Sequence, residues 1–203
     1  EQSLSDRKQA LTNEMDGFKQ QITELQEQVH DQAKTIQEVM RELEEKLIAE
    51  SDELVKKISA SRQAHDSLKT DMPQLSQSES VLLAKAADKT QHKPEAERTF
   101  ADWNRLAFAA YKNNAKEIAI SEWQKATTAL DVDDRKIAQS LFNIGTTWRE
   151  LGEYQKAIGV YDSLLQRFTN SDVLGVQEQC ANALFSKGVT LGEKLNDPQG
   201  EVA

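Results

Sequence analysis

The chain has 203 residues, of which 38% are hydrophobic, 29% are charged and only three are proline, a composition typical of long, solvated helices. Its formal net charge is −9, and no segment is basic enough to form an electrostatic binding site for nucleic acid or anionic lipid. The single cysteine excludes an intrachain disulfide and a thiolate metal cage, and no apolar run reaches the ~20 residues that span a bilayer.

Residues 4–43 carry apolar side chains at heptad spacing, and after Leu43 the pattern slips by one residue and resumes with Leu47, Leu54, Ile58, Leu68 and Met72. This predicts one long helix over residues 1–72 with a narrow apolar stripe. Two interleaved sets form the stripe: Met15, Ile22, Val29, Ile36 and Leu43 at a positions, and Leu4, Leu11, Phe18, Leu25, Gln32 and Val39 at d positions. Ile and Val at a with Leu at several d positions favour two parallel strands, so we expect a homodimer through residues 1–72, with a trimer as the alternative. The other interpretation is a single long helix that packs inside a globular domain.

Pro73 is expected to end this helix, because proline lacks an amide donor and disfavours helical backbone in the residue before it. Residues 73–99 are then expected to form a hinge with one short helix. Residues 100–203 follow as a separate domain of repeats.

The C-terminal half of the chain contains internal repeats. Residues 183–193, ALFSKGVTLGE, match residues 140–150, SLFNIGTTWRE, at Leu, Phe, Gly, Thr and Glu, with an offset of 43 residues. A more divergent copy lies upstream in residues 103–126, WNRLAFAAYKNNAKEIAISEWQKA.

These copies resemble the tetratricopeptide repeat, a helix-turn-helix unit of 34 residues. The matching positions are Trp103, Leu106, Ala107, Ala110, Ala119, Trp123 and Ala126 in the first copy, Leu141, Ile144, Gly145, Trp148, Gly152, Ala157, Tyr161 and Leu164 in the second, and Leu184, Lys187, Gly188 and Leu191 in the third. The resemblance implies an all-α fold, in which a long coiled-coil helix precedes an α-α superhelix of helical hairpins. The hairpins would span residues 100–133, 138–171 and, incompletely, 181–203.

Three glycines of the second copy need a structural reason, because glycine inside a helix costs about 1 kcal/mol relative to alanine. Gly145 and Ala157 are expected to face each other across a pair of antiparallel helices, where small residues allow close approach. Gly152 fits the C′ position after the first helix, where a positive φ suits glycine. Gly159 is expected on the solvent face of the second helix.

The resemblance also implies a protein-binding groove, lined by the first helix of each repeat. The corresponding residues are Ala101, Asn104, Phe108, Tyr111, Gln139, Phe142, Thr146, Arg149, Asn182, Phe185, Val189 and Gly192. An aromatic groove with one arginine suits an extended or helical peptide with apolar anchors. The alternative is that these aromatic residues pack against a neighbouring helix, for instance within residues 78–99.

No constellation of residues indicates catalysis, and we expect no cofactor and no metal. His30, His65 and His92 lie on separate predicted elements, and Cys180 fits a buried packing position. The sequence therefore favours a non-catalytic scaffold or adaptor, without nucleic-acid or membrane contact by this segment. The alternative is the sensing or oligomerising arm of a larger signalling protein or enzyme. We expect a cytoplasmic location, with a membrane-anchored or periplasmic one as the alternative if residues upstream of Glu1 carry an anchor.

Overall fold

The computed structural model describes residues 2–68 and 75–196, with side chains over residues 7–63 and 75–194, and these residues form seven α-helices and no strand. The helices are α1 (Gln2–Leu68), α2 (Gln77–Gln91), α3 (Phe100–Lys112), α4 (Lys116–Ala126), α5 (Asp134–Glu150), α6 (Tyr154–Phe168) and α7 (Leu174–Asn196), with a 3-10 turn at Glu95–Glu97. The all-α prediction is confirmed. Pro73 and residues 197–203 of the predicted third copy lie outside the described residues.

The chain divides into two units, of which the first ends at Lys46 and the second begins at Leu47. The first unit contains the N-terminal part of α1, and its apolar stripe is exposed. Between 49% and 64% of the residue surface is accessible at Leu11, Met15, Phe18, Ile22, Leu25, Val29, Ile36, Val39, Met40 and Leu43. Ion pairs such as Arg41–Glu45 (2.7 Å) lie between exposed residues along this part of the helix. The homodimer stays a prediction.

The second unit includes the rest of α1, and here the apolar residues are buried. Leu54, Val55 and Ile58 belong to one core cluster with residues of α2, α3 and α4, among them Leu83 and Trp123. This part of α1 therefore corresponds to the packing alternative for the long helix. Both arrangements use a periodic apolar stripe, and the register of that stripe slips by one residue between Leu43 and Leu47, next to the boundary between the two units.

Side-chain caps define the beginnings of α2 and α3. Ser76 and Glu79 form a reciprocal capping box at α2, and Thr99 and Asp102 form another at α3. Asp133 caps α5 by accepting a hydrogen bond from the amide of Lys136 at 2.9 Å. Each cap satisfies amides that the first helical turn leaves without an intrahelical partner.

The pairs α3/α4 and α5/α6 are two copies of the same helical hairpin. Their turns correspond residue by residue: Asn114 has a φ of 59° and Gly152 a φ of 78°. In the first turn the amide of Ala115 donates to the carbonyl of Ala110 at 2.9 Å, and in the second the amide of Glu153 donates to that of Trp148 at 3.0 Å. The C′ position predicted for Gly152 is confirmed.

Gly145 provides the close approach inside the second hairpin. A Cβ placed on Gly145 would lie 2.5 Å from Cε1 of Tyr161, closer than packed carbon atoms allow. The ring of Tyr161 is fully buried and lies 6.4 Å from that of Phe142. Gly145 is thus the notch that admits the tyrosine ring, and Ala157 is fully buried in the same cluster.

Helix α7 packs on α5 and α6 through one face only. Val176, Cys180 and Ala183 on this face are buried in the second core cluster. The predicted packing role of Cys180 is confirmed, and burial raises the pKa of its thiol. The opposite face of α7 carries exposed apolar residues, including Leu184, which is 58% accessible.

Candidate functional site

Two of the aromatic residues predicted to line the groove, Phe108 and Phe142, lie inside the hairpins. Both are fully buried. The ring of Phe108 meets that of Trp123 edge-on at 5.2 Å, and Phe142 lies beside Tyr161. Thr146 is also fully buried, and its hydroxyl donates to the carbonyl of Phe142. In this structure these three residues are core residues, as in the packing alternative, with α4 and α6 supplying the aromatic neighbours.

Asn104 supports the same core from within. Its side-chain oxygen accepts a hydrogen bond from the indole nitrogen of Trp123 at 3.0 Å, and Asn104 is only 6% accessible. The bond satisfies a donor that would otherwise be buried without a partner, which would cost about 1–3 kcal/mol. Asn104 therefore fixes the orientation of Trp123 between α3 and α4.

Residues 51–62 of α1, which we call the covering segment, contact the predicted groove positions Tyr111 and Gln139. The guanidinium carbon of Arg62 lies 4.3 Å from the centre of the Tyr111 ring. The side-chain amide of Gln139 donates to the hydroxyl of Ser59 at 3.0 Å. The face formed by α3 and α5 thus holds a helix already, and that helix belongs to the same chain.

Arg62 is the most deeply placed charge of the covering segment, with no accessible surface. One nitrogen, Nη2, donates to the Thr147 hydroxyl at 2.7 Å and to the Glu150 carboxylate at 3.1 Å. Its other two nitrogens, Nε and Nη1, have no hydrogen-bond acceptor among the described residues. The aromatic faces of Tyr111 and Trp123 provide cation–π contacts instead.

Glu150 is the carboxylate that balances Arg62. It also accepts a hydrogen bond from the Tyr111 hydroxyl at 2.9 Å and pairs with Lys116 at 3.3 Å. Burial would raise the pKa of Glu150, but the charge of Arg62, the Tyr111 hydrogen bond and Lys116 outweigh it and hold that pKa below its ordinary value. Glu150 is therefore ionised at neutral pH, and the α1–α5 contact is an ion pair.

Arg105 on α3 holds the other end of the covering segment, and each of its side-chain nitrogens has a partner. Nε donates to the Ser51 hydroxyl at 2.9 Å, and Nη2 donates to the Asp52 carboxylate at 2.6 Å. Nη1 donates to Thr90 on α2 at 2.7 Å and to Asp102 at 3.1 Å. With 1% accessible surface, Arg105 joins α1, α2 and α3 in one buried polar network.

An open cleft of about 620 Å³ remains beside the covering segment. Its walls include the predicted groove positions Ala101, Asn104 and Gln139, together with charged residues of both signs, namely Asp52, Lys56, Asp133, Arg135, Lys136 and Glu178. This mixture suits a polar peptide surface better than an apolar anchor.

The predicted groove positions on α7 are all at least partly accessible, in contrast to the buried Phe142 and Thr146 on α5. Arg149 lies 3.9 Å from Glu193 of α7, and its side chain is 10% accessible. Phe185 is 46% accessible, and Val189 is half-buried. The structure therefore separates Phe185, on the outer face of α7, from the buried Phe108 and Phe142.

Arg62 and Arg105, which make contacts between α1 and the hairpins, were not among the residues predicted from the sequence. Arg105 lies within the mostly apolar run WNRLAFAA, where a charged residue on a buried helix is a sign of an internal partner. Arg62 carried no such signal, because its surroundings in the sequence are polar.

Within the described part of the chain, no group of three or more His, Cys, Asp or Glu side chains is arranged to hold a metal ion. Over the same residues, no helix combines the length and the hydrophobicity that crossing a bilayer requires. Comparison of the chain with protein-family models found no match, and comparisons with curated proteins and with solved structures found none either.

Proposed function

We propose that the chain is a non-catalytic protein–protein interaction scaffold, in which a coiled coil joins two copies and each copy carries tetratricopeptide-like hairpins. The observation that supports this most directly is the exposed stripe from Leu11 to Leu43. Its residues keep heptad spacing, and each retains about half or more of its accessible surface. Fully burying one such side chain contributes about 1.5–3 kcal/mol, so pairing two stripes is strongly favourable.

A second copy of the chain is the occupant that fits this stripe. Ile and Val at three of the a positions favour two strands, and Glu14 and Lys19 occupy g and e positions that attract across a parallel pair. The stripe is also narrow, as a coiled-coil seam requires, and its flanks carry exposed ion pairs such as Lys19–Asp16.

The hairpins are the proposed recognition part of the scaffold. The face formed by α3 and α5 accepts a helix in cis, the covering segment, and this supports recognition of helical ligands. A partner that binds this face uses the mixed-charge cleft beside Gln139, since the aromatic residues behind it are buried.

Light scattering on the purified chain tests the scaffold proposal. We expect the mass of a dimer for the wild type and of a monomer for Ile22→Lys/Val29→Lys, which places two charges in the seam. The matched control is Gln20→Lys/Thr23→Lys, which adds the same charge outside the seam and should stay dimeric. A wild-type monomer at all concentrations would refute the proposal, and a trimer would correct the copy number.

A further inference from the structure

We propose that the outer face of α7 is a docking site for an amphipathic helix of a partner protein, and that this helix carries an aromatic residue which enters the notch at Gly188. The face contains Ala181, Leu184, Phe185, Gly188, Leu191 and Gly192, which share one side of the helix and are all exposed. The accessible fractions of Leu184, Phe185 and Leu191 are 58%, 46% and 42%. A contiguous apolar face of this kind marks an interaction surface.

The internal repeat shows what covers the same face elsewhere in the chain. Shifting α7 by the 43-residue offset places Gly188 on Gly145 and Phe185 on Phe142. On α5 this face is covered by α6, and the ring of Tyr161 occupies the space where a Cβ of Gly145 would lie. At Gly188 no atom of the described residues lies within 4 Å of the corresponding position.

The first hairpin repeats the arrangement and defines the chemistry of the covering helix. Ala107 on α3 corresponds to Gly145, and Trp123 on α4 corresponds to Tyr161, with both residues of this pair fully buried. Each covering helix places an alanine four residues before its aromatic residue and an apolar residue three after it: Ala119, Trp123 and Ala126 in α4, and Ala157, Tyr161 and Leu164 in α6.

The expected partner is therefore a helix with the pattern Ala-x-x-x-Tyr/Trp-x-x-Ala/Leu. Its alanine allows close approach to α7, and its aromatic ring fills the Gly188 notch and covers Phe185. This docking surface lies outside the coiled-coil seam, so it adds a partner class to the proposed scaffold. Because seam variants test the scaffold and α7 variants test the docking site, failure of one is distinguishable from failure of the other.

The test uses a fluorescent peptide that copies residues 152–169 of this chain as the probe, with fluorescence anisotropy measured on the full-length protein. We expect saturable binding that weakens at least tenfold in Gly188→Leu, because leucine fills the notch. Phe185→Ala should weaken binding as well, and a peptide carrying Tyr161→Ala should bind at least tenfold more weakly. Gly159→Leu in the protein is the matched control, since Gly159 is exposed with open space around it, and it should bind the probe as the wild type does.

Gly188→Leu should not lower the melting temperature, because no described residue lies within 4 Å of the added Cβ and leucine is the better helix former. Loss of binding would then not reflect unfolding. Absence of probe binding to the wild type would overturn the proposal. Equal affinity for wild type and Gly188→Leu would also overturn it, since the probe would then bind elsewhere. If the probe does not bind and Gly188→Leu lowers the mass found by light scattering, a second copy covers this face and the partner proposal is wrong.

Discussion

At the scale of single residues, the two glycines inside the helices of the second hairpin, Gly145 and Gly159, differ in their surroundings. Gly145 is buried against Tyr161, whereas Gly159 is exposed and has open space where a side chain would go. We expect Gly145→Ala to destabilise the fold by ~1–3 kcal/mol through overpacking. Gly159→Ala should stabilise it by ~0.5–1 kcal/mol, since alanine is the better helix former.

Urea denaturation of both variants and the wild type measures the two free energies of unfolding. Because the two substitutions add the same methyl group to helices of one hairpin, each serves as the control for the other. If both substitutions changed the free energy of unfolding in the same direction, Gly145 would not be the residue that makes room for the Tyr161 ring. Gly145→Leu should be more destabilising than Gly145→Ala.

Asp102 makes the stability of the fold depend on pH in the acid range. Burial alone would raise its pKa, but hydrogen bonds from Lys93, from Thr99 and from Arg105 lower that pKa to about 2. A carboxyl group whose pKa is lower in the folded chain than in the unfolded chain stabilises the fold at any pH above its unfolded-state pKa. This stabilisation is lost as the pH falls towards the folded-state pKa.

We therefore expect Asp102→Asn to be less stable than the wild type at neutral pH. The difference in unfolding free energy should narrow as the pH falls from 3.8 towards 2. Urea titrations across this range measure the difference. A difference in unfolding free energy between Asp102→Asn and the wild type that stays constant from neutral to acid pH would show that the Asp102 charge does not stabilise the fold.

At the scale of elements, the covering segment is fixed by two buried arginines that differ in how well they are satisfied. All three side-chain nitrogens of Arg105 donate hydrogen bonds, whereas two of the three in Arg62 have no acceptor among the described residues. Replacing Arg105 removes a hydrogen-bond partner of the Asp52 carboxylate and of the buried Ser51 and Thr90 hydroxyls, whereas Asp102 keeps Lys93 and Thr99. Replacing Arg62 removes two unsatisfied donors together with one ion pair.

Arg105→Met should therefore cost ~3–5 kcal/mol, as for a broken buried ion pair. Arg62→Met should cost less, ~1–3 kcal/mol, because Glu150 keeps Lys116 and Tyr111 as partners. Chemical denaturation of the two variants and the wild type measures which substitution lowers the free energy of unfolding more. A larger loss in Arg62→Met than in Arg105→Met would refute this account of the two networks.

The sequence predicts the hairpins well and the covering segment poorly, for a physical reason. The small and aromatic residues that join α5 to α6, such as Gly145 and Tyr161, lie close in the chain and repeat in a second copy. The contact of Arg62 with Glu150 joins residues 88 positions apart. In addition, the apolar pattern slips by one residue after Leu43 and resumes with Leu47, Leu54 and Ile58, and a stripe of this kind fits either a seam or a core.

The same ambiguity affected the predicted groove. Phe108 and Phe142 lie at the register that the resemblance assigns to a binding surface, yet they are buried beside Trp123 and Tyr161. An aromatic side chain at a helix position does not reveal which neighbour covers it. Among the polar groove positions, Gln139 borders the open cleft, whereas Thr146 is fully buried.

At the scale of the whole molecule, the boundary after Lys46 separates the proposed oligomerising part of α1 from the part that completes the core. We expect a chain that begins at Leu47 to be a folded monomer with nearly the melting temperature of the full-length protein. A chain that begins at Gln63 loses Leu54, Val55 and Ile58 from the core, each contributing about 1.5–3 kcal/mol.

The longer truncation should therefore melt far below the shorter one, or fail to fold. Circular dichroism melts and light scattering on both truncations check this. Equal melting temperatures would show that the covering segment adds nothing to the core. A dimer that persists in the chain beginning at Leu47 would move the oligomer interface away from the heptad stripe.

The covering segment also affects the order in which the hairpins unfold locally. In a repeat array each unit contacts only its neighbours, so the ends open before the middle. Here the covering segment forms hydrogen bonds with Arg105 on α3 and with Gln139 on α5, so that one helix links the two hairpins. Amide protons in α3 and α5 should therefore exchange with deuterium through a single shared opening, rather than through fraying from either end.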